Sequence, residues 1–181
     1  MAAFTRLALQ QTLLTLLRSM PLNKITVKLL TDTCGVSRNT FYYHYQDIAD
    51  LLRDTLHSEL QKVSAEPPTL DPTWRAKRLL TYLSEHQIIF DRIYRSTYRP
   101  QLEADLMTAA KNIAMADILA MGGEQLPADR QEAIATFFAS GLLSLCMQWF
   151  RDSETTSVDT LLARLALFDG LMEIAVAHAK N

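Results

Sequence analysis

The sequence contains little of three residue types that shape other fold classes. Its 181 residues include five glycines, six prolines and two cysteines. So little glycine and proline favours long helices with short connections over a β fold with many turns. Cys34 and Cys146 lie far apart and outside any CxxC motif. We therefore expect reduced, partly buried thiols in a cytoplasmic protein, and neither a disulfide framework nor a metal site.

The motifs that usually carry catalysis are also missing. The sequence has no GxGxxG, GxxxxGK[ST], GxSxG or HExxH segment. Its four histidines are His44, His57, His86 and His178, and none has a partner at metal-ligand spacing. The sequence therefore predicts no enzyme activity, no cofactor and no metal.

Charge is divided unevenly along the chain. The net charge is −2, but residues 1–46 hold five basic side chains against one acid, Asp32, and so carry +4. The remaining residues carry −6. A basic N-terminal region on an acidic protein is typical of a chain that presents one end to a polyanion.

Two segments bear on membranes and export. Residues 1–20 lack the basic cluster and cleavage site of a secretory signal, so we expect none. Ala133–Phe150 has no charged residue over 18 positions, which is close to the lower limit for a membrane span. Its polar residues are Thr136, Ser140, Ser144 and Gln148. Since a helix that is apolar nearly all round can be buried in a protein, we expect burial and no membrane contact.

Periodicity predicts an all-α fold that begins with four helices. The first carries leucines at helical spacing and ends before Pro21. Thr26 is the expected N-cap of a second helix, from Val27 to about Thr33. Ser37 and Asp47 are the expected caps of a third helix, to about Tyr45, and of a fourth, whose apolar stripe includes Leu52 and Leu56.

A proline-rich segment, residues 65–72, predicts a break after the fourth helix. Beyond it the pattern predicts five further helices at 72–85, 86–97, 100–121, 128–152 and 157–179. No segment alternates as a strand. We therefore expect a small domain at 1–46, a connecting helix at 47–64 and a helical domain at 72–181.

The segment TVKLLTDTCGVSRNTFYYHY, residues 26–45, predicts a helix-turn-helix. Gly35 lies at the turn, where a residue without Cβ adopts positive φ easily. On the third helix, Phe41 and Tyr45 share the face toward the core. Asn39 and Tyr43 then fall on the opposite face.

The outward face has chemistry suited to the DNA major groove. Asn can pair with adenine N6 and N7, and an aromatic side chain can contact a thymine methyl. Flanking side chains and the backbone amides near Thr26 can donate to phosphates. The predicted DNA-binding residues are Lys24, Thr26, Lys28, Ser37, Arg38, Asn39, Thr40, Tyr42, Tyr43 and His44. By geometry alone, such a helix pair is also typical of surfaces that contact only protein.

The same segment resembles the DNA-binding region of TetR-family transcriptional regulators. That family follows roughly T-V-x-x-I-A-x-x-A-G-V-S-x-x-T-F-Y-x-H-F, and the match extends over about 50 residues, through QDIADLL. The matching positions are Thr26, Val27, Gly35, Val36, Ser37, Thr40, Phe41, Tyr42 and His44. The resemblance implies a DNA-binding regulator.

Two positions depart from the family pattern. Thr31 replaces a small Ala, so the packing of the second helix must accept a hydroxyl. Ile48 replaces a Lys that can reach a phosphate, so we expect one phosphate contact fewer. The variant YYHYQDIADLL is also similar to a subgroup that includes an activator of a dihydroxyacetone kinase operon. Activation therefore stands beside repression as an alternative.

The C-terminal helices resemble those through which family members form a four-helix dimer interface. The resemblance implies a homodimer that binds double-stranded DNA at a palindromic operator. Apolar last helices suit that role, because an uncharged helix needs cover on most sides. The predicted interface residues are Phe137, Leu142, Leu145, Trp149, Leu161, Leu165, Phe168 and Met172.

The resemblance also implies a cavity for a small effector in the C-terminal domain. Such sites are mostly apolar with one or two polar groups. The candidate lining residues are Trp74, Tyr82, His86, Phe90, Tyr94, Met107, Met115 and Phe138. Any helical bundle also needs such residues in its core, so each of them can instead be an ordinary core residue without a ligand contact. The alternative to a DNA-binding regulator is a helical adaptor that has lost DNA binding and contacts only protein.

Overall fold

A computed structural model describes residues 2–64, 73–152 and 156–180, and this part of the chain contains helices and no strand. The all-α fold is confirmed. The α-helices in chain order are α1 Ala2–Ser19, α2 Val27–Cys34, α3 Arg38–His44, α4 Ile48–Ser64, α5 Trp74–Glu85, α6 Gln87–Tyr94, α7 Arg99–Ala120, α8 Ala128–Arg151, α9 Val158–Ala166 and α10 Leu171–Ala179. Short 3-10 turns lie at Leu22–Lys24 and Gly123–Gln125.

The three predicted helix caps are present. Thr26 Oγ1 accepts a hydrogen bond from the Leu29 amide at 3.2 Å. Ser37 Oγ accepts one from the Thr40 amide at 3.0 Å, and Asp47 Oδ1 accepts one at 2.8 Å. Each cap satisfies a backbone donor that the first turn of a helix leaves unpaired, which defines where α2, α3 and α4 begin.

The last predicted helix, 157–179, is wrong as a single element. The structure divides it into α9 and α10, with Gly170 between them at φ +81°. Glycine adopts this left-handed conformation without steric cost, so the chain turns there. The apolar periodicity on either side of Gly170 concealed the break.

The described residues form two compact units. The head unit comprises the residues up to Glu59 together with His86–Leu102, and the body unit comprises the others. The predicted ranges differ from this division, because α6 belongs to the head and not to the body. The physical reason is that α6 packs on α1, and Arg92 Nη1 donates to the Leu17 carbonyl at 2.7 Å. The predicted break at 65–72 lies outside the described residues.

An apolar core holds the head unit together. The buried side chains of α1 are Leu9, Leu13, Leu16 and Leu17. They are joined by Leu30 of α2, Phe41 of α3 and Leu51 and Leu52 of α4, all of which are buried. Fully burying one such side chain contributes about 1.5–3 kcal/mol, so this core is the main source of the head's stability.

One carboxylate ties three parts of the head together. Asp54 of α4 accepts two hydrogen bonds from Arg6 Nη2, at 2.8 and 2.9 Å. It also accepts one from Gln10 Nε2 at 2.8 Å and one from the Tyr45 hydroxyl at 2.6 Å. Arg6 and Gln10 lie on α1, and Tyr45 directly follows α3. This cluster, the Asp54 junction, fixes α1 and the end of α3 against α4.

The junction shifts the pKa values of its members, and it raises that of Arg6 above the ordinary range through the hydrogen bond to Asp54. Burial raises the pKa of Tyr45 to about 12, and the hydrogen bond to Asp54 adds to the effect. Partial burial alone would raise the pKa of Asp54, but the hydrogen bonds from Arg6 and Tyr45 outweigh it. The net result is a pKa below the ordinary 3.8. The folded head therefore favours the ionised carboxylate.

The body unit has a small-residue core and a buried ion pair. Ala114, Ile118, Leu126, Ala135 and Val176 form its central cluster. Arg75 of α5 donates to Asp117 of α7, and both side chains are more than nine-tenths buried. A buried ion pair is costly to break, because the remaining charge would be left uncompensated.

Both cysteines are free thiols. Cys146 of α8 is fully buried, and burial raises the pKa of its thiol to about 12. Since the thiolate is the reactive form, burial lowers the reactivity of this thiol at neutral pH. Cys34 of α2 is half-buried.

Helix α8 is buried on one face only. It is the one helix in the described part of the chain that is long and apolar enough to cross a membrane by length and composition. Only a third of its apolar window is buried. The expected burial of residues 133–150 therefore holds for the face that includes Ala135, Ala139 and Leu142, whereas Phe137 on another face is 69% exposed.

Replacing Asp54 tests the junction. We expect Asp54→Asn to lower the free energy of unfolding by about 1–2 kcal/mol at pH 7, because charge-assisted hydrogen bonds are lost from a partly exposed site. The pKa of Asp54 is lowered in the folded chain, so the ionised form contributes stability above the unfolded pKa. That contribution disappears as the pH falls through the folded pKa.

The measurement is urea denaturation of the wild-type chain and Asp54→Asn between pH 7 and pH 3. The difference between them should be constant at neutral pH and shrink once the pH falls below the ordinary 3.8. Asp32→Asn, at an exposed acid of α2, is the matched control for loss of one negative charge. A difference that did not change with pH would contradict an electrostatic role for Asp54.

Candidate nucleic-acid interface and ligand cavity

A tight turn joins α2 to α3. Gly35 ends α2 with φ +74°, and its amide donates to the Thr31 carbonyl. The Val36 amide donates to the same carbonyl at 3.1 Å. The two hydrogen bonds to one carbonyl are typical of a left-handed helix C-cap, and they set the direction in which α3 leaves the turn.

The hydroxyl of Thr31 is accommodated without a partner on another helix. Thr31 is buried, and its Oγ1 donates to the Val27 carbonyl at 2.9 Å and the Lys28 carbonyl at 3.1 Å. Both acceptors lie on the preceding turn of α2 itself. The buried hydroxyl is therefore hydrogen-bonded within α2 and leaves no unpaired polar group between α2 and α3. This explains how Thr replaces a smaller residue here.

Helix α3 has one buried face and one exposed face. Phe41 is fully buried, and Tyr45 is buried directly after the helix. Their rings lie 5.9 Å apart between centroids. Tyr42 and Tyr43 are 57% and 80% exposed. Exposing two large aromatic rings to water is unfavourable, and it is unusual for a surface that contacts no ligand. This face is therefore a candidate contact surface.

The ten predicted DNA-binding residues all lie on the surface of the head unit. Most are exposed, namely Lys24, Thr26, Lys28, Ser37, Arg38, Asn39, Tyr42 and Tyr43. Thr40 and His44 are half-buried. The His44 ring contacts Tyr43 edge-on, with centroids 5.0 Å apart.

Three of these residues also have structural roles. Thr26 and Ser37 cap α2 and α3, and the Thr40 hydroxyl lies 2.8 Å from Ser37 Oγ. Lys24, Lys28 and Arg38 add positive charge around the N-termini of α2 and α3, where unpaired backbone amides favour anions. The face therefore combines exposed polar side chains with basic ones.

The eight predicted effector residues are not gathered around one cavity. His86, Phe90 and Tyr94 belong to the head unit, and Phe90 and Tyr94 are buried there. In the body unit, Tyr82 is buried in the core, Trp74 is partly exposed and Met115 packs on the central cluster. Met107 is half-buried. Phe138 alone among the eight lines the large cavity of the body unit.

That cavity, the body cavity, has a volume of about 540 Å³. Its walls come from the start of α5, from α7 and α8, and from α9, α10 and the turn between them. They are mostly apolar. The lining residues on which the later argument depends are Asp117, Phe137, Phe138, Phe168 and Glu173. Sequence reasoning missed most of them because it sought aromatic residues throughout the domain and had no means of locating a cavity.

The predicted dimer residues fall into two groups. Leu142, Trp149 and Leu161 are buried within the body unit, and the Trp149 indole donates to the Thr156 carbonyl at 3.0 Å. These side chains already pack in their own chain, which leaves little of their surface for contact with a second copy. Phe137 and Phe168 are exposed, whereas Leu145, Leu165 and Met172 are half-buried.

Further exposed apolar residues extend this surface. Leu167 is 81% exposed and Ile174 is 66% exposed, and Leu171 is exposed as well. With Phe137 and Phe168 they form what we call the C-terminal apolar surface, on α8, α10 and the turn before α10. The sequence signal for these residues is the apolar run on both sides of Asp169-Gly170. The prediction of one helix over 157–179 missed it, because it placed the whole run on a single element.

Comparison with known families decides the identity. A TetR C-terminal family, described as Transcriptional regulator C-terminal region, matches residues 73–168. This is more than half of the chain. The chain belongs to the TetR family of transcriptional regulators. Among proteins with curated descriptions, none matches it.

Solved TetR-like structures share the whole fold. The dihydroxyacetone kinase operon activator DhaS is 16% identical, with a TM-score of 0.71 over 97% of this chain and 96% of that one. The TetR family repressor AlkX from Dietzia sp. strain DQ12-45-1b is 15% identical, with a TM-score of 0.61 over 97% and 95%. A TetR-family regulator from Streptomyces coelicolor is 19% identical, with a TM-score of 0.60 over 96% and 90%. These similarities confirm an N-terminal helix-turn-helix followed by a helical domain.

The turn of the TetR-family head provides a test based on two glycines. A Cβ added at Gly35 or at Gly141 would meet no atom within 4 Å. Of these two glycines, Gly35 is the one with positive φ, so we expect Gly35→Ala to lower the free energy of unfolding by about 1–2 kcal/mol. Gly141 lies inside α8, where Gly141→Ala should raise it by about 0.5–1 kcal/mol. Chemical denaturation measures both, and equal effects of the two substitutions would contradict a conformational role for Gly35.

Proposed function

We propose that this TetR-family regulator binds DNA sequence-specifically through α3 and acts in the cytoplasm as a homodimer on a palindromic operator. The observation that carries the proposal is the exposed face of α3, which presents Asn39 and Tyr43 while Phe41 anchors the opposite face in the core. A seven-residue helix held by a cap and a buried aromatic is a rigid support for base recognition.

The residues divide into two roles in this proposal. Asn39 pairs with a base edge and Tyr43 contacts a thymine methyl in the major groove. Lys24, Lys28 and Arg38 contact phosphates, supported by the backbone amides at the capped start of α2. Phosphate contacts position the head, whereas base contacts select the sequence.

Dimerisation through the C-terminal apolar surface supports palindrome recognition. Large exposed apolar residues such as Leu167 and Ile174 indicate a surface that another protein covers. A twofold dimer uses the same patch on both copies and presents two α3 helices to half-sites about 34–36 Å apart. The interface in this proposal contains Phe137, Leu167, Phe168, Leu171 and Ile174.

We propose repression as the direction of regulation, relieved by a small effector in the body cavity. A cavity of about 540 Å³ with mostly apolar walls is typical of a site for a small molecule. An effector lowers DNA affinity only as far as it prefers the form that does not bind DNA.

Activation is the second candidate, favoured by the fold similarity to the operon activator DhaS. A reporter gene placed behind the recovered operator distinguishes the two directions.

The DNA proposal is tested by selection from a genomic DNA library. We expect the wild-type chain to enrich a palindromic site, and Asn39→Ala/Tyr43→Ala to lose affinity for that site by about tenfold or more. Non-specific binding at low salt should persist in the double variant, since the phosphate contacts remain. Lys28→Ala should instead weaken binding to all sequences and reduce the salt slope by about one.

Gln11→Ala/Thr15→Ala on α1 is the matched control, since it removes two exposed polar side chains from the same unit. It should bind as the wild-type chain does. If the wild-type chain enriched no site and showed no salt-dependent DNA binding, the adaptor alternative would replace this proposal.

The dimer proposal is tested by charge. We expect Leu167→Glu/Ile174→Glu to sediment as a monomer. Burying two carboxylates at the interface costs more free energy than the original Leu and Ile side chains contribute to dimerisation. Neither residue lines the body cavity, so the cavity stays intact. Ile88→Glu, at an exposed isoleucine of α6 in the head unit, is the control and should leave the sedimentation coefficient unchanged. A double variant that remained dimeric would place the interface elsewhere.

A further inference from the structure

The charge of the body cavity has one sign. Among the described residues that line it, Asp117 and Glu173 carry charge, and both are acids. The remaining polar lining consists of hydroxyl groups, from residues such as Ser140 and Ser144, and of backbone. A cavity whose charged lining is all acidic repels an anionic ligand and attracts a cation.

Asp117 is held in place by a buried ion pair. It lies more than nine-tenths buried and pairs with Arg75, which is not among the lining residues. The guanidinium of Arg75 compensates the charge of Asp117 from outside the lining, so the negative charge that a ligand meets at the wall comes mainly from Glu173.

Three aromatic rings complete the lining. Phe137, Phe138 and Phe168 all line the body cavity. Phe137 and Phe138 are packed edge to face, with centroids 5.5 Å apart and an interplanar angle of 86°. The face of a phenyl ring is electronegative and attracts an ammonium group within about 6 Å of its centroid. Aromatic faces together with carboxylates are the chemistry that recognises organic cations.

We propose that the body cavity binds a lipophilic organic cation, an amine or quaternary ammonium group on an apolar body. The ammonium group lies near Glu173 and the phenylalanine rings, and the apolar part fills the volume between α7, α8 and α10. The volume of about 540 Å³ exceeds what an ammonium group alone would occupy and suits a ligand with an extended apolar portion. The role of this ligand as effector rests on the proposed function, but its binding does not.

A fatty acid or another amphiphilic anion is disfavoured by the same residues. Its carboxylate would lose water on entry and would meet the carboxylate of Glu173, with no cationic side chain among the described lining residues. A neutral amphiphile avoids the repulsion but gains no attraction from the rings. The order of affinity among ligands with one tail and different head groups therefore tests the proposal directly.

The experiment is calorimetric titration of the full chain, without DNA, with decyltrimethylammonium, decanol and decanoate below their micellar concentrations. We expect decyltrimethylammonium to bind about tenfold or more tightly than decanoate, with decanol between them. The three probes share one alkyl tail, so differences in affinity report the head group.

Two variants assign the preference to residues. Glu173→Gln leaves the Arg75–Asp117 ion pair in place, and we expect it to weaken decyltrimethylammonium several-fold while decanol binding is unchanged. Phe168→Leu should also weaken the cation more than the alcohol. Glu124→Gln, an exposed acid of the same unit that does not line the cavity, is the control and should bind all three probes as the wild-type chain does.

Equal affinity for the three head groups, tightest binding of decanoate, or no binding of any probe by the folded chain would overturn the proposal. An equal loss of all three probes in Glu173→Gln would assign that residue a structural role and would also overturn it. Because the titration contains no DNA, these outcomes leave the DNA-binding proposal untouched. Failure of DNA binding would likewise leave this result valid.

Discussion

The Asp54 carboxylate is the point on which the geometry of the head unit depends. It receives Arg6 and Gln10 from α1 and Tyr45 from the end of α3, so one side chain of α4 sets the positions of two other helices. Helix α3 has seven residues and is too short to be stable alone. Its orientation therefore comes from contacts at both ends, namely the Ser37 cap at the start and the Tyr45 anchor at the end.

This arrangement lets a short helix meet two opposing demands. Its inner face contributes Phe41 to the core, and its outer face exposes Asn39, Tyr42 and Tyr43. Because the structural contacts lie inward and at the ends, the outer residues are left to contact a ligand. The Thr31 hydroxyl likewise leaves α3 free, since it donates to carbonyl groups of its own helix, α2, and needs no partner on α3.

In the body unit, the proposed ligand and the proposed partner copy use the same helices. Phe137, Phe168 and Leu171 line the body cavity and also belong to the C-terminal apolar surface. A ligand that contacts these residues changes the surface that a second copy covers, so ligand binding and dimerisation are thermodynamically linked in the proposed mechanism. Asp117 lies at the same wall, where its buried ion pair with Arg75 compensates its charge.

Except for the division of the last helix into α9 and α10, local sequence determined the helices, the caps and the outward face of α3, because these depend on hydrogen bonds and periodicity within a few residues. Thr26, Ser37 and Asp47 cap their helices as predicted, and Gly35 forms the predicted turn. Tertiary structure alone decided what depends on distant residues. It assigned α6 to the head through Arg92 and Leu17, buried Trp149 within its own chain, and placed Asp117 and Glu173 around one cavity. Apolar periodicity identifies which side of a helix is buried, but it does not identify the element that covers it.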